Sequence, residues 1–197
     1  MGLALSGLPT TTSAKLTCHA DSGHDSYEWS GPGTPSETSS SYISFTVSGL
    51  TPGSANTIRI SVDYYDEEET CDCDDEDCEG DCSTEWVYKG SDSYSLTVYT
   101  KPSSWRWPVQ PKVDVHLADV LTASNWNGMI TQLGKYRSWQ DQSNKYSNYN
   151  GYKVSSGDWI AATTYNGVAS AIELGKVSSG DLIEANQFTS IEKVIGC

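Results

Sequence analysis

Four cysteines stand in the most acidic run of the chain, Asp66-Glu67-Glu68-Glu69-Thr70-Cys71-Asp72-Cys73-Asp74-Asp75-Glu76-Asp77-Cys78-Glu79-Gly80-Asp81-Cys82. Eleven of the sixteen residues from 66 to 81 are acidic. Such a segment has almost nothing apolar to bury and repels itself, so a crosslink or a counter-ion has to hold it together. Three chemistries fit. Thiolates of Cys71, Cys73, Cys78 and Cys82 can bind zinc as a four-sulfur structural site, although Cys-x-Cys…Cys-x3-Cys is looser than the paired Cys-x2-Cys pattern. Alternatively the cysteines form nested disulfides, Cys71–Cys82 and Cys73–Cys78, along an antiparallel loop, since direct Cys-x-Cys closure strains the ring. Calcium, which prefers oxygen ligands, is the third and weaker fit; no Asp-x-Asp-x-Asp-Gly pattern with Glu at the twelfth position occurs, so an EF-hand is excluded. The surrounding carboxylates disfavour further negative charge on sulfur and so act against zinc.

The remaining chemistry-bearing residues are sparse. Cys18 lies in an apolar alternation and reads as a small buried hydrophobe. Cys197, after Gly196, reads as an exposed thiol or an intersubunit link. His19 and His24 flank an expected turn, and His116 lies near the helical half. No His-x-x-x-His, Gly-x-Ser-x-Gly, phosphate-binding Gly-rich loop or Walker pattern is present, so catalysis is not expected.

A phrase written twice carries more information. Val154-Ser155-Ser156-Gly157-Asp158-Trp159-Ile160-Ala161-Ala162 recurs 23 residues later as Val177-Ser178-Ser179-Gly180-Asp181-Leu182-Ile183-Glu184-Ala185. Beyond it Tyr165 aligns with Phe188, Val168 with Ile191 and Ile172 with Ile195. A weaker third copy runs through Asp119, Val120, Leu121, Thr122 and Ala123 to Trp126-Asn127-Gly128, Met129 and Leu133; its Trp-Asn-Gly answers Tyr165-Asn166-Gly167. Asp158 and Asp181 could be taken for paired catalytic carboxylates, but a motif repeated at equivalent helix entries is architecture. Each Asp is expected to close a turn on its own backbone, with the following Ile anchoring the approach to the helix. In the last copy Thr189-Ser190 replaces Asn-Gly, as expected of an atypical terminal repeat.

Two aromatic groups remain as binding candidates. Tyr146, Tyr149 and Tyr152 sit among Ser, Asn and Gly, a composition found in recognition loops. Too few aliphatic residues accompany them for a core. Trp105 and Trp107 occupy a proline-rich stretch and read first as an apolar cover packed on a neighbouring domain. Both groups suit subunit packing better than stacking on cell-surface sugars.

The elements that must position these residues divide the chain. Residues 1–100 read as β, with alternation through Ala14 to Cys18, Tyr27 to Trp29, Tyr42 to Val47 and, most clearly, Ile58-Arg59-Ile60-Ser61-Val62-Asp63-Tyr64. Two late strands are expected at 85–88 and 94–99, and Gly, Pro and Ser punctuate the series. Residues 101–112, with three prolines, read as an extended linker. From 113 to 197 the period becomes helical, giving three helices from about Thr122, from 161 to 174 and from 184 to 195. The expected fold class is therefore multidomain α+β, an antiparallel β-sandwich with an acidic Cys-rich loop at 66–82 followed by a small three-helix unit.

With 26 acidic and 12 basic residues the formal charge is −14, which repels phosphate backbones and argues against nucleic-acid partners. No apolar run is long enough to cross a membrane, and Met1-Gly2-Leu3-Ala4-Leu5-Ser6 lacks the basic and apolar regions of a signal peptide. Twelve Tyr and seven Trp against two Phe suit half-wet surfaces more than a dry core.

Leu5-Ser6-Gly7-Leu8, the mid-domain Trp29 and Val47-Ser48-Gly49-Leu50-Thr51-Pro52-Gly53-Ser54 resemble a fibronectin type III or related Ig-like module, with Asn56 standing where that signature has Tyr. In the second half, Pro102-Ser103-Ser104-Trp105-Arg106-Trp107, Leu121-Thr122-Ala123-Ser124-Asn125-Trp126-Asn127 and the two Ser-Gly-Asp-x-Ile-x-Ala phrases resemble C-terminal modules of virion structural proteins of tailed phages of Gram-positive hosts. That resemblance, over residues 102–195, implies a tail, fibre or head-decoration component located in the virion, with other virion proteins and further copies of itself as partners. It also implies assembly in a reducing cytoplasm, which favours thiols and metal over disulfides.

Overall fold

The computed structural model describes residues 1–71, 82–107, 122–146, 149–180, 183 and 185–196. The fold is mixed α+β and divides into two units, one of Met1–Thr51 with Ala55–Val98 and the other of Pro52–Ser54 with Tyr99–Cys197.

In the first unit, strands β1 (Gly2–Leu5), β2 (Ser13–His19) and β5 (Tyr42–Ser48) form one antiparallel sheet in the order β1-β2-β5. Strands β3 (Ser26–Ser30), β4 (Glu37–Thr38), β6 (Ala55–Cys71) and β7 (Cys82–Tyr99) form a second in the order β4-β3-β6-β7. Period-two alternation sends Leu16, Cys18, Tyr27, Trp29, Phe45, Val47, Ile58, Ile60, Val62 and Val98 into one shared core, as the spacing of the apolar residues predicts. Gly33 shows why some punctuation is glycine. At φ +78° a Cβ there would lie 2.2 Å from the Thr46 carbonyl oxygen, so any side chain meets both strain and a backbone clash.

Two expectations change. The late strands are one continuous β7, and the first third of the acidic segment is not loop, because β6 runs on to Cys71. Cross-strand bonds extend the ladder past the core: the Thr70 hydroxyl donates to the Ser83 carbonyl (3.2 Å), and the Lys89 ammonium pairs with Glu68. Local charge disfavours a strand there, and backbone pairing with an antiparallel partner overrides it. Asn56 closes the turn that leads into β6. Its side-chain oxygen accepts from the Thr51 N–H (2.9 Å) and its amide donates to the Thr51 carbonyl (3.1 Å).

The second unit contains α1 (Ala123–Asp141), α2 (Ala162–Ala171) and α3 (Ala185–Ile195). Thr122 caps α1, its hydroxyl accepting from the Asn125 N–H at 3.2 Å. Helix α2 ends earlier than its periodicity predicts because Glu173 adopts φ +59° and the Leu174 N–H turns back to the Ala169 carbonyl, a left-handed helix ending. The aligned triads of the repeat meet in one core: Trp126, Tyr165 and Phe188; Met129, Val168 and Ile191; Leu133, Ile172 and Ile195. Phe188 makes edge-on ring contacts with Trp126 (6.3 Å) and Tyr165 (6.4 Å).

In the described part of the expected linker, residues 101–107, the Trp pair packs as an apolar cover. Trp107 is only 3% exposed, donates its indole N–H to the Phe188 carbonyl at 3.0 Å and packs edge-on against Phe188 and Trp105. Residues 101–107 are irregular, but burial of an indole with a satisfied N–H makes Trp107 part of the second core. Residues 108–112 lie outside the described residues, as do Asp119 to Leu121 of the weak repeat copy and His116.

Candidate functional site

The repeated phrase is a turn device. In the first copy Asp158 accepts from the Ser155 N–H through its carboxylate (2.9 Å) while its own N–H donates to the Ser155 carbonyl (3.1 Å). The carboxylate is thereby committed to backbone, as Asp in a tight turn commonly is. Ile160 and the buried Ile183 then anchor the entries to α2 and α3. Asp181 lies outside the described residues.

A second device was not legible in the spacing. Asn127 grips both polar groups of Val154: its amide donates to the Val154 carbonyl, and its oxygen accepts from the Val154 N–H, each at 2.9 Å. Asn166 grips Val177 in the same way, each bond 2.8 Å. The asparagine of each of the first two copies therefore holds the valine that opens the next phrase. The glycine after Asn166 is required by packing, since a Cβ on Gly167 would lie 2.3 Å from the Tyr152 ring. Replacing Asn166 by Ala leaves the Val177 donor and acceptor unmatched and is expected to cost about 1–3 kcal/mol, read as a lowered midpoint in denaturant unfolding.

Tyr146, Tyr149 and Tyr152 form a ladder of stacked rings, at centroid separations of 5.7 and 5.4 Å. The expectation that they stand apart from a core is corrected, because Tyr149 and Tyr152 pack against the helical core and the Tyr152 carbonyl accepts from the Trp126 indole at 2.7 Å. Stacked rings supply the apolar area that the aliphatic count lacks. At the outer end the Arg137 guanidinium and Lys145 ammonium lie 5.1 and 4.6 Å from the Tyr146 ring centre, and the Tyr146 hydroxyl donates to Asp141. That hydrogen bond, with Lys145 and Arg137 alongside, holds the Asp141 carboxyl below its ordinary range. Burial pushes the Tyr149 hydroxyl up.

At the hairpin, Cys71 and Cys82 are joined as a disulfide, the outer of the two nested pairings expected. Cys73 and Cys78 lie outside the described residues. A sulfur in a disulfide is not a thiolate, so this oxidised form does not fit a four-thiolate zinc site, although the Glu69 carboxylate and both sulfurs lie within 4.8 Å of one another. Beside the hairpin, Trp86 and Tyr88 are each 55% exposed.

Among the described residues, Cys18, His24 and Tyr64 are engaged in packing. Cys18 is fully buried and unbonded, and burial raises its thiol to about 11. Such a thiol is a poor nucleophile near neutral pH; Cys18 is expected to resist iodoacetamide in the native protein and to react once the protein is denatured. His24 Nδ1 and Asp66 Oδ1 are 2.8 Å apart, with the imidazole stacked on Tyr64 at 4.8 Å. Tyr64 donates to Asp92 (2.5 Å), and Tyr94 donates to the same oxygen (3.1 Å); burial is the larger cause that raises Tyr64, and the Asp92 hydrogen bond adds to it. A shallow depression lined by Ser30, Gly31, Arg59, Ile60, Ser61 and Ser93 offers hydroxyls and one cation. Among the described residues no helix is long and apolar enough to cross a membrane. In comparisons with known proteins, no family model, curated protein or solved structure matches the chain.

Proposed function

We propose that the protein is a non-enzymatic structural component of a phage virion, a tail, fibre or capsid-decoration protein in which a fibronectin III- or Ig-like β-sandwich is displayed and a three-helix repeat unit supports assembly with other virion proteins and with further copies of itself. The observation that carries this reading is the use made of the repeated phrase. The Asp158 carboxylate is spent on a turn, and Asn127 and Asn166 are spent on gripping successive repeats. Residues that could have served chemistry build architecture instead. Two sheets sharing one core support the sandwich, and Trp29, one of the residues that carry the resemblance, lies in that core.

The full purified chain is expected to form a closed oligomer of one defined size in native mass spectrometry, as subunits of symmetric assemblies do. The competing reading is a carbohydrate- or cell-surface-binding adhesin module, favoured by the exposed Trp86, Tyr88 and Trp159. A monomer that binds host-surface glycans on an array would overturn the structural role in its favour. For the reduced chain, made in a host cytoplasm, we propose zinc on Cys71, Cys73, Cys78 and Cys82; elemental analysis of protein purified reduced and without chelator tests this, and absence of metal contradicts it.

A further inference from the structure

We propose that the outward face of the β4-β3-β6-β7 sheet, with its hairpin extension, is a docking surface for an extended, arginine-rich segment of a partner protein. This inference does not depend on the virion reading.

The face is assembled by strand periodicity. Successive side chains of a strand point to opposite sides, so Tyr65, Glu67 and Glu69 share one side of β6, and Trp86 shares a side of β7 with Tyr88. Three cross-strand contacts in step with one another, Cys71 with Cys82, Thr70 with Ser83 and Tyr65 with Tyr88, bring these two rows together. The pairing of β3 with β6 adds Glu28 opposite Asp63, and the pairing of β3 with β4 adds Glu37 opposite Glu28. The result is a row of carboxylates beside three aromatic rings on the side of the sheet away from the core.

Among the described residues, no member of the first unit's core lies on this face. Its core draws on the opposite sides of the same strands, through Tyr27, Trp29, Ile60, Val62 and Tyr64. Trp86 and Tyr88 are more than half exposed on a hairpin arm that reaches beyond the core. Like charges directly opposite one another destabilise a sheet, as with Glu28 flanked by Glu37 and Asp63. The hydroxyl of Tyr65 donates to Glu28 at 3.2 Å, relieving only part of that repulsion. The ammonium of Lys89 is paired with Glu68, on the other side of β6.

Charge complementarity selects the occupant. A guanidinium stacks on Trp and Tyr faces and takes a carboxylate in a two-pronged hydrogen bond, which a compact ammonium does not match. The Glu67–Glu69 spacing of one strand repeat corresponds to alternate side chains of an extended segment. Anionic partners, nucleic acid and acidic lipid alike, are repelled by the same charges. A neutral sugar could stack on the rings but would gain nothing from the carboxylates.

The test is fluorescence anisotropy with labelled oligoarginine, oligolysine and oligoglutamate peptides on the full, oxidised chain. Oligoarginine is expected to bind more tightly than oligolysine, with affinity falling as salt rises, and oligoglutamate not at all. Because Trp86 and Tyr88 are exposed, the joint change Trp86→Ala and Tyr88→Ala should leave the unfolding midpoint unchanged and weaken oligoarginine about tenfold or more, the loss expected of aromatic anchors. Glu67→Gln with Glu69→Gln should weaken binding and flatten its salt dependence, whereas Glu173→Gln, an exposed carboxylate of the second unit, should change neither. Unchanged affinity in the aromatic double variant would show diffuse attraction to an acidic protein and overturn the proposal. So would binding of a neutral oligosaccharide that Trp86→Ala abolishes, if oligoarginine does not bind.

Discussion

Phe188→Ala is expected to destabilise the helical unit by about 3–5 kcal/mol, the range for truncating a large buried aromatic. The magnitude follows from where the side chain sits. Phe188 is 2% exposed, and its ring contacts Trp107, Trp126 and Tyr165, drawn from the proline-rich segment and from both other helices. Removing it opens a cavity where the equivalent positions of all three repeats converge. Its carbonyl, which accepts the Trp107 indole N–H, would also lose a fixed partner position. Tyr165→Ala should cost a similar amount, because it is the same position one repeat earlier. Chemical-denaturant unfolding measures the loss, and amide exchange should locate it in α1, α2 and α3. If neither variant loses stability, the repeat alignment is wrong.

Trp29→Ala is the corresponding result for the first unit, again about 3–5 kcal/mol. Trp29 is 3% exposed and lies opposite Val62 in the β3–β6 register. It joins Leu16 and Phe45 of the other sheet in one core, so truncation removes apolar contact from both sheets at once. A lowered unfolding midpoint with exchange accelerated in β2, β3, β5 and β6 is the expected outcome. A change below about 1 kcal/mol, the size expected at a surface position, would place Trp29 outside the core.

The fold was legible wherever periodicity was unbroken. Alternation from Ile58 to Tyr64 placed β6, and the spacing of Trp126, Met129, Ile130 and Leu133 placed the buried stripe of α1. What local pattern could not carry was set by partners distant in the chain. Charge and composition marked 66–71 as loop, yet pairing with β7 makes it strand. Three prolines marked 101–112 as an extended linker, yet within its described part the indole of Trp107 is buried against Phe188, 81 positions away. The tyrosine ladder was read as too poor in aliphatic residues for a core, because its apolar area lies in rings rather than aliphatic chains.

The candidate sites divide along the same line. The outer disulfide pairing of Cys71 with Cys82 was one of the alternatives that spacing allowed. The asparagine grips were not visible, although both Asn-Gly pairs had been aligned, because an amide that matches one residue's N–H and carbonyl leaves no mark in the sequence. The exposed aromatic row of the hairpin likewise depends on which side of a strand faces the core.

The account rests on the protein being a building block rather than a catalyst, and copy number tests that most directly. On the proposal that a phage encodes the chain, quantitative mass spectrometry of washed, purified particles should find it at a fixed, repeated number of copies per particle. Finding it only free in the medium and absent from washed particles would contradict the account.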